Sequence, residues 1–128
     1  MSEKEIVRTE EAPAPFQGAP YNQAIKAGGL VFVAGQLGLT PDGTMVGDGI
    51  EAQTEQVMAN LRAILEAAGS GLERLVKTTV FLTDLGDFKG MNEVYARHVG
   101  DRPPARSTIE VGALPSGALV EIEAIAHL

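Results

Sequence analysis

The segment Leu30-Val31-Phe32-Val33-Ala34-Gly35-Gln36-Leu37-Gly38-Leu39 places apolar side chains at both odd and even positions. A strand with one wet face alternates apolar and polar residues, whereas one that is apolar throughout is covered on both sides. We therefore read a central strand from about Gly29 to Leu39, with Gly35 marking either a bulge or a close approach of another group to the backbone. A second such strand, Leu75 to Thr83 (LVKTTVFLT), is rich in β-branched residues and bounded by polar turns.

Between these strands, Asp48 and Glu51 have the spacing of an N-cap and its reciprocal partner. Ile50, Val57, Leu61, Ile64, Leu65 and Ala68 form one helical stripe, and Gly69 supplies the stop. A second helix starts near Asp84 or Asp87, with Phe88, Met91, Val94, Tyr95 and Val99 on its stripe and Gly100 at its end. Gly86 and Gly90 weaken it, at about 1 kcal/mol for an interior glycine. Thr40-Pro41-Asp42-Gly43 fits a tight turn, Thr9 to Pro20 reads as an extended arm, and Pro103-Pro104 forbids further helix. Two last strands, about Ala105 to Ala113 and Leu119 to Ala126, are joined through Leu114-Pro115-Ser116-Gly117 and read as a hairpin. Alternation puts Arg106, Thr108 and Glu110 on one face of the first, Glu121 and Glu123 on one face of the second, and pairs Arg106 with Glu121 across the hairpin. This order predicts an α+β two-layer fold, a mixed β-sheet with two helices on one face, whose other, apolar face packs against neighbouring subunits.

With 128 residues the chain is read as one domain, 1–128, too small to enclose a large pocket. Ten basic against seventeen acidic residues give a net charge of −7, and the basic residues are scattered singly, which argues against nucleic acid as a partner. The absence of cysteine excludes disulfides, thiolate metal sites and a thiol nucleophile. His98 and His127 have no partner at metal-ligand spacing and read as structural, so no metal is expected. Phosphate-loop and G-x-S-x-G patterns do not occur. The polar start Met1-Ser2-Glu3-Lys4-Glu5 and the lack of a long apolar run predict a soluble cytoplasmic protein with no membrane partner.

The segment Pro104-Ala105-Arg106-Ser107-Thr108-Ile109-Glu110-Val111, then Leu114-Pro115 and Val120-Glu121-Ile122-Glu123-Ala124, closely resembles the RidA/YjgF family of enamine and imine deaminases. The resemblance continues through Ala19-Pro20-Tyr21-Asn22-Gln23-Ala24-Ile25, Val33-Ala34-Gly35-Gln36, Glu66-Ala67-Ala68-Gly69, and Asp87-Phe88 with Met91-Asn92-Glu93-Val94-Tyr95. It implies a chorismate-mutase-like fold, a homotrimer with clefts between subunits, and cofactor-free hydrolysis of 2-imino or enamine acids such as 2-iminobutanoate and 2-iminopropanoate to 2-keto acids and ammonia. By the same resemblance, Arg106 would hold the substrate carboxylate and Glu121 would position or activate water. Tyr21 would close the cleft, and Gly35, Phe88, Asn92 and Thr108 would shape or border it.

Three positions depart from the usual family pattern: Asn22 and Ala34 stand where many members have Ser, and Thr108 where many have Cys. With Thr108 in that place the implied mechanism is noncovalent. Alternatives within the same resemblance are a chaperone-like or regulatory binding module, a ribonuclease, and a branch acting on another enamine acid such as aminoacrylate.

Overall fold

The computed structural model describes residues 3–128 and contains one six-stranded sheet. Its elements are β1 (Glu5–Val7), β2 (Ala24–Ala27), β3 (Leu30–Gln36), α1 (Gly49–Ala67), β4 (Leu75–Leu82), α2 (Phe88–Val99), β5 (Ala105–Glu110) and β6 (Val120–His127). Strand order is β1-β2-β3-β6-β4-β5, with only the β4–β5 pair parallel. The expected α+β fold with both helices on one face of a mixed sheet is present, and among the described residues no helix is long and apolar enough to cross a membrane.

Alternation explains the layers. Val31 and Val33 of β3, Thr78, Val80 and Leu82 of β4, and Val120, Ile122, Ala124 and Ala126 of β6 are buried beneath α1 and α2. Val57, Leu61, Ile64 and Leu65 of α1, with Met91 and Tyr95 of α2, complete this core. The helices meet so closely at Gly90 that an added Cβ would lie 2.8 Å from Ile50 Cγ2, which gives this helix-weakening glycine a packing reason. Asn60 ties α1 to the chain beyond β3, its buried amide donating to the Leu37 and Leu39 carbonyls at 3.1 and 2.8 Å. On the outer surface His98 joins the helices, with Nε2 2.5 Å from Glu55 and Nδ1 3.2 Å from Arg62, in keeping with a structural role.

Several expectations change. The strand read as Gly29 to Leu39 is shorter, and the register of β3 against β6 shifts between Val33 and Gln36, so Gly35 lies in an irregularity of the ladder. Asp48 makes no capping bond, because its left-handed backbone (φ 62°) turns the side chain away from the first-turn amides that a capping box would satisfy. The C-terminus behaves as read: Gly69, at φ 88°, lets its own amide reach the Glu66 carbonyl and the Ser70 amide reach Leu65. The region around Asp84 and Asp87 is a 3₁₀ turn, Leu85–Asp87, with Asp84 accepting from the Gly86 amide, and the α-helix proper starts at Phe88.

The largest correction concerns the end of the chain. β5 and β6 do not form a hairpin: β4 lies between them, pairing in parallel with β5 and antiparallel with β6. Helix α2 is the crossover that returns the chain parallel to β4, as parallel pairing requires. The link from β5 to β6 then passes over the end of the sheet, where Ala118 packs against Leu37 and Leu39, and the Leu119 amide donates to Gln53 of α1 at 2.8 Å. The short strands β1 and β2, which extend the sheet beyond β3, complete it.

Leu61 is fully buried where α1 faces the sheet. We expect Leu61→Ala to lower unfolding free energy by about 2–5 kcal/mol, the cost of a cavity in a packed core. Urea unfolding at fixed protein concentration measures this, and a loss under about 1 kcal/mol would contradict the packing described.

Candidate active site

Arg106 projects from β5 in register with Thr78, whose side chain is buried beneath α2, so the guanidinium lies on the helix-covered face. Its Cζ stands 4.9 Å from the Tyr95 ring centroid and 5.5 Å from that of Phe88. Two such cation–π contacts, each worth about 0.5–2 kcal/mol, hold the guanidinium against α2. Tyr95 is fixed in turn by a 2.6 Å bond between its hydroxyl and that of Thr78. Burial raises the Tyr95 phenol above its ordinary pKa, with the Thr78 hydrogen bond and the nearby Arg106 charge acting the other way. None of the ion pairs among the described residues involves Arg106.

The cleft beside Arg106 has a volume of about 390 Å³ and is bordered by Asn92, Tyr95, Val99, Pro103 and Pro104. Asn92 Oδ1 is buried there without a hydrogen-bond partner. An unpaired buried acceptor costs about 1–3 kcal/mol. Thr108, two residues beyond Arg106, shares its face in register with Val80.

Glu121 occupies different ground. It pairs with Phe81 on the face opposite the helices, together with Glu123 and Ile125 of β6. Burial raises its pKa above the ordinary carboxylate value, and the neighbouring Glu123 charge adds to the shift. A Cβ at Gly35 would collide with the Glu121 carboxylate and push it from this position. Beside Gly35 lies a crevice of about 30 Å³ walled by Phe16, Tyr21 and Leu37. That is room for a water molecule. The Tyr21 hydroxyl accepts from the Phe16 amide at 2.9 Å, curling the arm into this wall.

One chain thus gathers the expected residues in two separate groups, called half-sites below. Phe88, Asn92, Arg106 and Thr108 belong to the first, and Tyr21, Gly35 and Glu121 to the second. The expected Arg106–Glu121 ion pair does not exist, because the two strands are separated by β4, about 10 Å across the sheet, and the side chains leave opposite faces.

The Endoribonuclease L-PSP family model matches residues 9–128. Reactive Intermediate Deaminase A, chloroplastic, of Arabidopsis thaliana is 52% identical over 126 residues, covering 98% of this chain and 66% of that protein. The crystal structure of RidA from the Antarctic bacterium Psychrobacter sp. is 44% identical with a TM-score of 0.91, covering 97% of this chain and 99% of that one. The chain belongs to the RidA/YjgF family. A further relative of known structure, E. coli TdcF with bound serine, is 37% identical with a TM-score of 0.89, covering 97% of this chain and 98% of that one.

Against the RidA-like signature, sequence reasoning missed Tyr95, which was placed only on an apolar helical stripe. Its signal is that a buried tyrosine needs a partner for its hydroxyl, and Thr78 is the polar residue among the buried side chains of β4. Glu110, which shares the face of Arg106 and Thr108, is exposed and accepts from the Leu85 amide at 2.8 Å. No group of three or more His, Asp or Glu side chains among the described residues could hold a metal ion.

The raised pKa of Glu121 has a definite thermodynamic sign. Tighter proton binding by the folded chain stabilises it below the unfolded value of about 4.3, and that contribution is lost as pH rises through the folded value. Glu121→Gln should therefore raise the melting temperature at pH 7, with the gain shrinking toward zero near pH 3.5. An equal gain at both pH values, read by calorimetry, would show that ionisation is not its source.

Proposed function

We propose that the protein hydrolyses small 2-imino and enamine acids, 2-iminobutanoate and 2-iminopropanoate among them, to 2-keto acids and ammonia. The reaction takes place in the cytoplasm, at clefts between the subunits of a homotrimer. The observation that carries this reading is the stacked Arg106, without an acidic partner, on the opposite face of the sheet from a half-buried Glu121 that binds protons tightly. Neither half-site suffices, and a second copy laid against the open face supplies what the first lacks. Exposed Phe32 and Ile109 on that face favour such packing.

Arg106 grips the carboxylate through paired N–H donors, which orients C2 of the protonated substrate. The enamine tautomer enters after protonation at its C3. Glu121 takes a proton from water as the oxygen adds to C2, and the C=N π pair moves onto nitrogen. The protonated Glu121 then passes the proton to that nitrogen. The C2–N bond breaks as the hydroxyl oxygen lone pair forms the carbonyl, ammonia leaves, and the hydroxyl proton is released. Atoms and charge balance without an electron acceptor, so the chemistry calls for no cofactor or metal. A carboxyl with raised pKa suits a group that must both accept and return a proton near neutrality.

The deaminase name of the Arabidopsis relative supports this reading. So does the bound serine of TdcF, a small acid with nitrogen on C2 like the proposed substrates. The family model's description favours a nuclease instead, against which stand the net charge of −7 and the scattered basic residues.

A threonine dehydratase assay, with semicarbazide competing for the released imine, tests the activity. Arg106→Ala and Arg106→Lys should both lose carboxylate binding, by roughly 100-fold in kcat/KM for a lost bidentate charged contact. Glu121→Gln should keep binding and lose turnover. Undiminished activity in Arg106→Ala would reject the reading, and RNA cleavage that depends on Arg106 would replace it.

The shared cleft has a test of its own. Arg106→Ala and Glu121→Gln chains, each inactive alone, should on co-refolding recover about a quarter of wild-type activity, the fraction of clefts in a mixed ring that draw both intact residues. No recovery in verified mixed oligomers would place both residues in one subunit's site.

A further inference from the structure

Gln23 lies on the chain entering β2 and is only 3% exposed, yet nothing in the reaction above uses it. Its amide group is fully engaged, and every bond goes to the arm that precedes it. Oε1 accepts from the Thr9 amide at 2.8 Å, while Nε2 faces the carbonyls of Thr9 at 3.1 Å, Ala12 at 3.3 Å and Pro13 at 2.8 Å. A side-chain amide has two N–H donors, so three carbonyls share them and no donor remains for a ligand. The arm has no helix or strand of its own between Arg8 and Asn22. Besides this clasp, the arm is held by Ala12 buried in the core, by turn bonds from the Ala19 amide to the Phe16 carbonyl and from the Tyr21 amide to the Ala19 carbonyl, and by the Phe16 amide bonded to the Tyr21 hydroxyl.

The clasp and the Phe16–Tyr21 bond border one space. Pro13, Phe16, Tyr21, Gln23 and Gly35 all line the crevice beside the Glu121 half-site. We propose that Gln23 is a positioning residue, whose clasp on Thr9, Ala12 and Pro13 holds Phe16 and Tyr21 as a wall over the Gly35–Glu121 half-site and keeps bulk water from it. The proposal rests on the deaminase reading for its kinetic consequence but not for its structural one. Releasing the clasp hydrates Glu121 and moves its ionisation toward the ordinary carboxylate range. The other titratable groups that share its sheet face are Glu123 and His127 of β6 and Lys77 of β4, while β3 and β5 present the uncharged Leu30, Phe32, Ala34, Ala105, Ser107 and Ile109 there.

The test uses the full chain with two substitutions. Gln23→Leu removes the clasp. Gln23→Glu retains size and acceptor but offers the three carbonyls no amide N–H, and so serves if the apolar variant does not fold. Amide hydrogen exchange should show faster exchange at Thr9 and, about tenfold, at Phe16, whose own partner is untouched, with Leu61 of α1 and Val80 of β4 unchanged. In the imine assay kcat should fall about tenfold, and the acid limb of its pH profile should move to lower pH, which mere loss of folded protein would not produce. If Thr9 exchanges faster while Phe16 and the acid limb stay as in wild type, Gln23 only tethers the arm and the proposal fails. Should the Leu61 and Val80 amides lose protection in parallel with Phe16, its role is general stability and the proposal fails as well. Inactive wild-type protein whose Phe16 amide still depends on Gln23 would overturn the deaminase reading and leave the positioning role standing.

Discussion

Side chains of a β-strand leave alternately from its two faces, and in this protein β4 stands between the strands that carry Arg106 and Glu121. The rest of the site follows from that constraint. Arg106 falls on the face that α2 covers, where two aromatic rings can support it. Glu121 falls on the face that the helices leave open, where only strands, the arm and whatever packs against the sheet control its access to water. A one-residue slip in either strand would exchange these surroundings, giving the guanidinium to the open face and the carboxylate to the core.

Arg106 and Glu121 are both held at some expense to stability. Arg106 stands against two aromatic rings instead of pairing with an acid. Glu121 is pressed against Gly35 and sits two residues from Glu123, so its charged form is disfavoured twice, first by burial and then by repulsion. Asn92 keeps an acceptor buried and unpaired. A guanidinium without an acidic partner, an unpaired buried acceptor and a carboxylate of raised pKa thus lie within one small chain. The hydrogen-bonded Gln23 clasp and the Thr78–Tyr95 bond show the contrasting pattern of polar groups that serve structure and are satisfied internally.

Local chemistry was legible wherever the chain settles its conformation among near neighbours. The stripe of α1 and its Gly69 stop, the Pro41-Gly43 turn and the alternation of Arg106, Thr108 and Glu110 all depend on contacts within a few residues. The Asp48 cap failed because a left-handed backbone at that residue overrides a side-chain preference, and nothing in the local sequence announces it. Strands β1 and β2, of three and four residues, carry too little periodicity to be distinguished from the arm between them. The supposed final hairpin failed because alternation states which face a residue takes but not which strand lies beside it. The Leu114–Gly117 turn, which invites a hairpin, instead begins a passage over the end of the sheet.

The sequence by itself determined the fold class, the family, and the identity of nearly all the side chains gathered at the two half-sites, because each is written in local patterns or in a motif kept in order along the chain. It also determined that the protein is acidic and free of thiols, which rules out a cysteine nucleophile. Only the tertiary structure decided that Arg106 and Glu121 lie on opposite faces, that Tyr95 and Phe88 carry the guanidinium, and that Gln23 binds the arm beside Tyr21. The physical reason is the same in each case. Strand order, the meeting of a ring with a cation and the closing of an arm depend on residues far apart in the chain, and no periodicity within a strand or helix encodes which distant partner will be there.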